Sequence, residues 1–88
     1  MTTTNTPLPT PTVVVIKEWN VDEVINHLRH VLPKVNETNY AMLIEEEVDG
    51  TVFLDLDKDQ LLNHPYNMKA GPATKIAKEI KRLKGMFH

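Results

Sequence analysis

The run GPATKIAKEIKRL, residues 71–83, is where the fold is read most directly. Ala73, Ile76, Ala77, Ile80 and Leu83 recur at the three- and four-residue steps of one face of an α-helix. Pro72 has no backbone donor and fits only a first turn, so this helix starts around Lys69 to Gly71. Gly85 reads as its end. Just upstream, Asn63-His64-Pro65-Tyr66-Asn67 has the composition of a loop. Before that, Asp57 followed three residues later by Gln60 reads as a capping box that opens a short helix, with Leu61 and Leu62 facing inward.

Further toward the N-terminus, Thr51 to Leu56 carries Phe53, Leu54 and Leu56, and its periodicity fits either one helical turn or a short strand. A helix with Tyr40, Leu43 and Ile44 should end near Val48-Asp49-Gly50, where glycine supplies a left-handed C-terminal turn. Asn36 to Asn39 is a polar connector. Val21, Val24, Ile25, Leu28, Val31 and Leu32 trace one face of another helix, capped by Asn20 with Glu23 and stopped by Pro33. Val13 to Ile16 are four β-branched residues without a convincing partner strand, so an extended segment packed on a helical core is expected. Residues 1–12, MTTTNTPLPTPT, hold six Thr and three Pro and read as a disordered tail. Thr6-Pro7 and Thr10-Pro11 fit proline-directed phosphorylation, with a plain linker as the simpler reading. The expected fold is all-α: a compact five-helix bundle over residues 13–88 behind that tail.

Composition limits the function classes. Eighty-eight residues hold one small domain. Ten Lys and Arg against 12 Asp and Glu leave a net charge of −2, which argues against a generic nucleic-acid binder. With no cysteine, a disulfide scaffold, a zinc finger and a thiol nucleophile are all excluded. The longest apolar run, Val13 to Ile16, falls far short of the roughly 20 residues of a membrane helix. The first residues also lack the pattern of a signal peptide, so a cytoplasmic or nuclear protein with no membrane contact is expected.

Tests for chemistry fail one by one. Asp55-Leu56-Asp57-Lys58-Asp59 looks like the opening of a calcium loop, but that loop needs Gly at its sixth position and Glu at its twelfth, which here are Gln60 and Tyr66. His27 and His30 share a helix, yet no further ligand motif accompanies them, and surface or boundary histidines are expected. Glu45, Glu46 and Glu47 are consecutive, so on a helix they point in different directions and suit a solvated helix end better than acid–base work. Asn36-Glu37-Thr38 matches a glycosylation sequon, which means little without a secretion signal. Met86 and Phe87 suit an anchor for a partner or residues that fold back or fray. No catalytic residue, metal ligand or cofactor site emerges, and the chain reads as a non-enzyme.

Charge patterning says more. Glu45 through Asp59 carries seven acids and one base, a net of −6. Lys69 through Lys84 carries six bases and one acid, a net of +5. Two solvated faces of opposite sign are one reading. The other has the acidic region of one molecule meeting the basic helix of another, a heterologous contact that builds rings or open filaments.

Read in order, these features resemble a sterile alpha motif (SAM) domain over about Ile16 to Lys84. Trp19 and Val24 resemble the family's opening Trp-x-x-x-x-Val, and Leu28 falls at the buried leucine of the first helix. Tyr40 and Leu43 match the second helix, and Val48-Asp49-Gly50 matches the family's Ile-Asp-Gly turn. Phe53-Leu54 with Leu56 resembles the Leu-Leu-x-Leu that follows, and Leu61 matches the fourth helix. Gly71, Lys75, Ile76, Ile80 and Leu83 match the long last helix. The chain departs from the family where Asn63 through Met68 replaces Leu-Gly-Ile and where Ala73 stands for a common Arg. The run Gly71 to Lys75 resembles SAM domains of fungal signalling proteins.

The resemblance implies a non-catalytic five-helix bundle that associates with protein partners, itself or another SAM domain, in signalling or scaffolding. It implies an acidic mid-domain surface, here Glu46, Glu47, Asp49, Asp55, Asp57 and Asp59. It also implies a basic surface at the start of the last helix, here Lys69, Gly71, Thr74, Lys75 and Lys78. Head-to-tail joining of the two gives a homo-oligomer or filament. Gly71 would allow close backbone approach. A minority of SAM domains bind RNA stem-loops, which would use Lys69, Lys75 and Lys78 with Lys34 or Arg29; the acidic middle and the net charge count against that alternative.

Overall fold

A computed structural model describes residues 12–85 as six helices: α1 (Val13–Lys17), α2 (Val21–Val31), α3 (Glu37–Glu45), α4 (Gly50–Asp55), α5 (Lys58–Leu62) and α6 (Ala70–Gly85). No strand occurs among the described residues. The expected disorder of the first eleven residues, the Thr-Pro sites within them, and the expectations for Met86 and Phe87 all lie outside the described residues.

Local chemistry sets most helix starts. Asn20 and Glu23 form the expected capping box on α2, and Asp57 and Gln60 form the one on α5, each satisfying orphan N–H groups at a first turn. Asp49 caps α4 by accepting from the Val52 N–H. Thr51 to Asp55 is therefore helical, and Leu56 follows as its extended C-cap. Its apolar residues alone left the choice open, and the cap lies just outside them.

Val13 to Ile16 is not extended. It forms the body of α1, one helix more than the five expected. A strand here would leave its N–H and C=O groups without a neighbour to pair with, whereas a helical turn satisfies them internally. Thr12 accepts from the Val15 N–H at 3.2 Å, so the last residue of the expected tail serves as the helix cap. Ile16 is fully buried, while Val14 and Val15 are exposed.

The core is built on the predicted stripes. Val24 and Leu28 of α2, Leu43 of α3, Phe53 of α4, Leu61 of α5 and Ala73, Ile76 and Leu83 of α6 are all fully buried. Burying a Phe or Leu side chain contributes about 1.5–3 kcal/mol. Tyr40 closes the C-terminal end of α2: its hydroxyl donates to the carbonyls of Leu28 (3.2 Å) and Leu32 (2.9 Å), which also accept the Leu32 and Val35 N–H groups. Burial raises the pKa of that phenol. Ile44 of α3 is exposed. That helix turns Asn39, Tyr40 and Leu43 inward.

The end of α3 corrects a further expectation. Gly50 does not supply the left-handed turn; Glu47 does, with φ of 55°. The Val48 N–H donates to the Leu43 carbonyl and the Glu47 N–H to that of Ile44, both at 3.0 Å. These are the two bonds of a Schellman motif, and buried Val48 and Leu43 supply its apolar residues. Gly50 is needed for a different reason. A Cβ there would lie 1.7 Å from the Ile16 carbonyl oxygen. Its N–H also donates to the Trp19 carbonyl at 2.9 Å, which seats α4 on the α1–α2 junction.

Candidate functional site

The six expected acids fall into three settings. Glu46 and Glu47 are exposed in the turn after α3. Asp55 and Asp59 line one groove with Val52, Leu56, Gln60 and the His64-Pro65-Tyr66 loop. Glu46 belongs to the same neighbourhood. The Tyr66 phenol has a raised pKa, first because it is buried and second because of the Glu46 charge. Asp49 and Asp57 differ, because both carboxylates cap helices. The Asp49 carboxylate accepts from the Thr51 hydroxyl at 2.7 Å and from the Val52 N–H at 3.1 Å, which lowers its pKa. Asp57 accepts from the Gln60 N–H at 2.9 Å and lines a second groove, with Lys58 and Lys81.

The basic surface follows from the register of α6. Ala73, Ile76, Ile80 and Leu83 point inward, so Lys75 and Lys78 point outward, with Thr74 half-buried at the edge. The carbonyl of exposed Lys69 accepts the Ala73 N–H at 3.1 Å, and Pro72 lies in the first turn as its chemistry requires. A Cβ on exposed Gly71 would meet nothing within 4 Å. Nothing inside the domain requires glycine there.

The single acid of α6 is buried. Glu79 is 7% exposed, accepts Arg82 in a fork of two bonds at 2.8 Å, and lies 2.6 Å from His27 Nε2. Burial opposes its ionisation, but the bonds from Arg82 and His27 outweigh that, and its pKa is lowered. His27, expected at the surface or a boundary, thus ties α2 to α6 and also lies against Trp19, with ring centroids 5.2 Å apart. With Glu79 turned inward, the outward face of α6 presents only bases. Among the described residues, none of Lys69, Lys75 and Lys78 forms a salt bridge with any acid, and neither do Glu46, Glu47, Asp55 or Asp59.

Sequence reasoning missed Val52. It is 40% exposed, an apolar residue beside the acids of the groove. The signal was its place next to Phe53 and Leu54 in a six-residue helix, too short to bury every apolar side chain. No group of three or more potential metal ligands occurs among the described residues, and no described helix is long and apolar enough to cross a membrane.

A family model described as a SAM-like domain matches residues 1–82. The chain belongs to the SAM-like family. The Polyhomeotic-proximal chromatin protein of Drosophila melanogaster is 36% identical over 69 residues, covering 78% of this chain but only 4% of that protein. The SAM-like chain therefore spans a small fraction of that curated relative. A Polyhomeotic SAM domain structure superposes with a TM-score of 0.69 at 34% identity, covering 88% of this chain and 99% of that one. A hetero SAM domain structure of Ph and Scm gives 0.67 at 36% identity, covering 78% and 97%. The Polycomb protein SCMH1 of Mus musculus is 30% identical over 69 residues, covering 78% of this chain and 10% of that protein.

Proposed function

We propose that this SAM-like domain is a non-catalytic association module that joins head to tail with a second SAM domain, its own copy or a relative's. The acidic groove of one molecule, with Asp55, Asp59 and Glu46–Glu47, receives the start of α6 of the next, with Lys69, Lys75 and Lys78. The observation that carries the reading is that both charge sets are exposed and unpaired within the molecule. The hetero SAM domain structure of Ph and Scm supports association of one SAM domain with another, and the chromatin relative supports a nuclear setting.

Charge alone is too weak for this interface. Exposed ion pairs contribute about 0–1 kcal/mol each, so the pairs of three lysines give at most about 3 kcal/mol. A micromolar complex needs about 8 kcal/mol. The remainder has to come from apolar burial at Val52 and from close backbone approach at Gly71, where a missing side chain brings two surfaces together. The charges then set orientation and partner choice. Sedimentation velocity over a range of concentrations at low and high salt tests this. Mass that grows with concentration and shrinks with salt supports it, and a monomer under all conditions contradicts self-association.

A further inference from the structure

The second groove, of about 570 Å³, lies between the residues that open α5 and the second half of α6. Its α6 wall is the stripe Ala77, Lys81 and Lys84, which runs beside the buried stripe of that helix. Ala77 is half-buried, and its single methyl group leaves the depression; Lys81 and Lys84 on the following turns stand exposed. Leu56 and Ile80 close the bottom, and Lys58 stands on the α5 side. The groove is thus apolar below and cationic around its edge. Its one acid, Asp57, has its carboxylate turned to the Gln60 N–H as the cap of α5. Among the described residues none of Lys58, Lys81 and Lys84 forms a salt bridge. Lys84 Nζ donates to the Leu54 carbonyl at 3.2 Å, a contact that holds it beside the groove and leaves its charge uncompensated.

We propose that this groove docks a short acidic amphipathic segment of another protein, with an apolar side chain seated over Ala77 and its carboxylates on Lys58, Lys81 and Lys84. Charge complementarity and shape together select this occupant. The volume falls in the range of roughly 300–1,000 Å³ that holds a compact ligand or a few side chains. The lysine stems can lie along the apolar floor while their ammonium ends meet the carboxylates. A segment with apolar residues at helical spacing and acids around them satisfies both layers, as amphipathic helices do in other grooves. A second copy of this domain fits less well, because Asp55 and Asp59 line a groove of their own and two concave surfaces do not interlock. The inference does not depend on head-to-tail pairing, which uses the other groove and the start of α6.

Titrating the Lys75→Glu protein with a synthetic peptide, followed by NMR amide shifts, tests it. The peptide is helical, with leucine along one face and glutamate on the others, and Lys75→Glu keeps the start of α6 from competing for it. Expected is saturable binding with shifts centred on Lys58, Ala77 and Lys81, weakened about tenfold by adding Lys81→Glu. Ala77→Met fills the depression without changing charge and should weaken binding by a similar factor. Lys81 is exposed, so its variant keeps the test valid even if Ala77→Met disturbs the fold. Peptides with serine for leucine or glutamine for glutamate should each bind more weakly. Absent binding, equal binding of the serine peptide, or shifts centred on Lys69 and Lys78 would overturn the proposal. Phosphatidylserine vesicles that shift Lys58 and Lys81 when the peptide does not would also overturn it, in favour of a lipid surface. Because the titration uses a protein whose basic helix start is already spoiled, its failure and the failure of head-to-tail pairing are separately measurable.

Discussion

His27 Nε2 lies 2.6 Å from Glu79 Oε2, and this contact joins the first long helix to the last across 52 residues of chain. Arg82 grips the same carboxylate. Glu79 is therefore a buried acid held ionised, with its pKa lowered in the fold. Such a group contributes stability that is present above the ordinary Glu pKa of about 4.3 and lost as pH falls through the lowered value. Denaturant melts between neutral pH and about pH 3 should show Glu79→Gln destabilised by about 1.5–3 kcal/mol at neutral pH, the scale of hydrogen bonds to charged groups. The gap to the parent should narrow as the pH falls. A constant gap would show that ionisation of Glu79 plays no part.

Glycines 50 and 71 make opposite predictions. Gly50→Ala places a Cβ 1.7 Å from the Ile16 carbonyl, a backbone atom that can yield only by moving α1. A loss of about 1–3 kcal/mol or more is expected in urea melts. Gly71→Ala meets open space on a helix and should be neutral or stabilising by up to about 1 kcal/mol, yet should weaken self-association. A Gly71→Ala protein that self-associates as wild type does would contradict its place in the proposed interface.

Glu47 occupies a position that favours glycine. Glu47→Gly relieves the left-handed strain and should raise stability by up to about 1 kcal/mol in the same melts, while removing one acid from the proposed interface. A destabilised variant would mean that the Glu47 side chain makes a stabilising contact in the fold.

Deleting residues 1–11 should leave the melting temperature nearly unchanged, since a Thr/Pro stretch has little to bury, provided Thr12 remains to cap α1. A drop of several degrees would show that the stretch docks.

Much of the fold is legible in the sequence because its signals are local. Asn20 with Glu23, Asp57 with Gln60, Pro33 and Pro72 each act within one helical turn, and each does what its chemistry predicts. The stripes of α2 and α6 are long enough for periodicity to show their buried faces. The misreadings arise where tertiary contact decides. Val13 to Ile16 has strand propensity, but with no strand to pair with it becomes helical and buries Ile16 against Gly50. Gly50 looks like the residue for a left-handed turn, yet close packing claims it, and Glu47 takes the turn. The charge split could be counted in the sequence. That Asp49 and Asp57 are occupied as caps, that Asp55 and Asp59 share a groove with Val52, and that Glu79 is buried all depend on distant residues meeting.

The central claim is that two different surfaces of one domain pair, and mixing two variants tests it most directly. Asp59→Lys spoils the acidic groove and Lys75→Glu the basic helix, and neither residue caps a helix or packs in the core. Each variant alone should be monomeric by sedimentation. Mixed, they should form a one-to-one dimer that cannot grow, because the only intact pair is one molecule's acidic groove with the other's basic helix. Salt near 1 M, where screening acts over about 3 Å, should weaken that dimer. A mixture that stays monomeric although wild type assembles, or variants that assemble alone as wild type does, would contradict head-to-tail pairing through these surfaces.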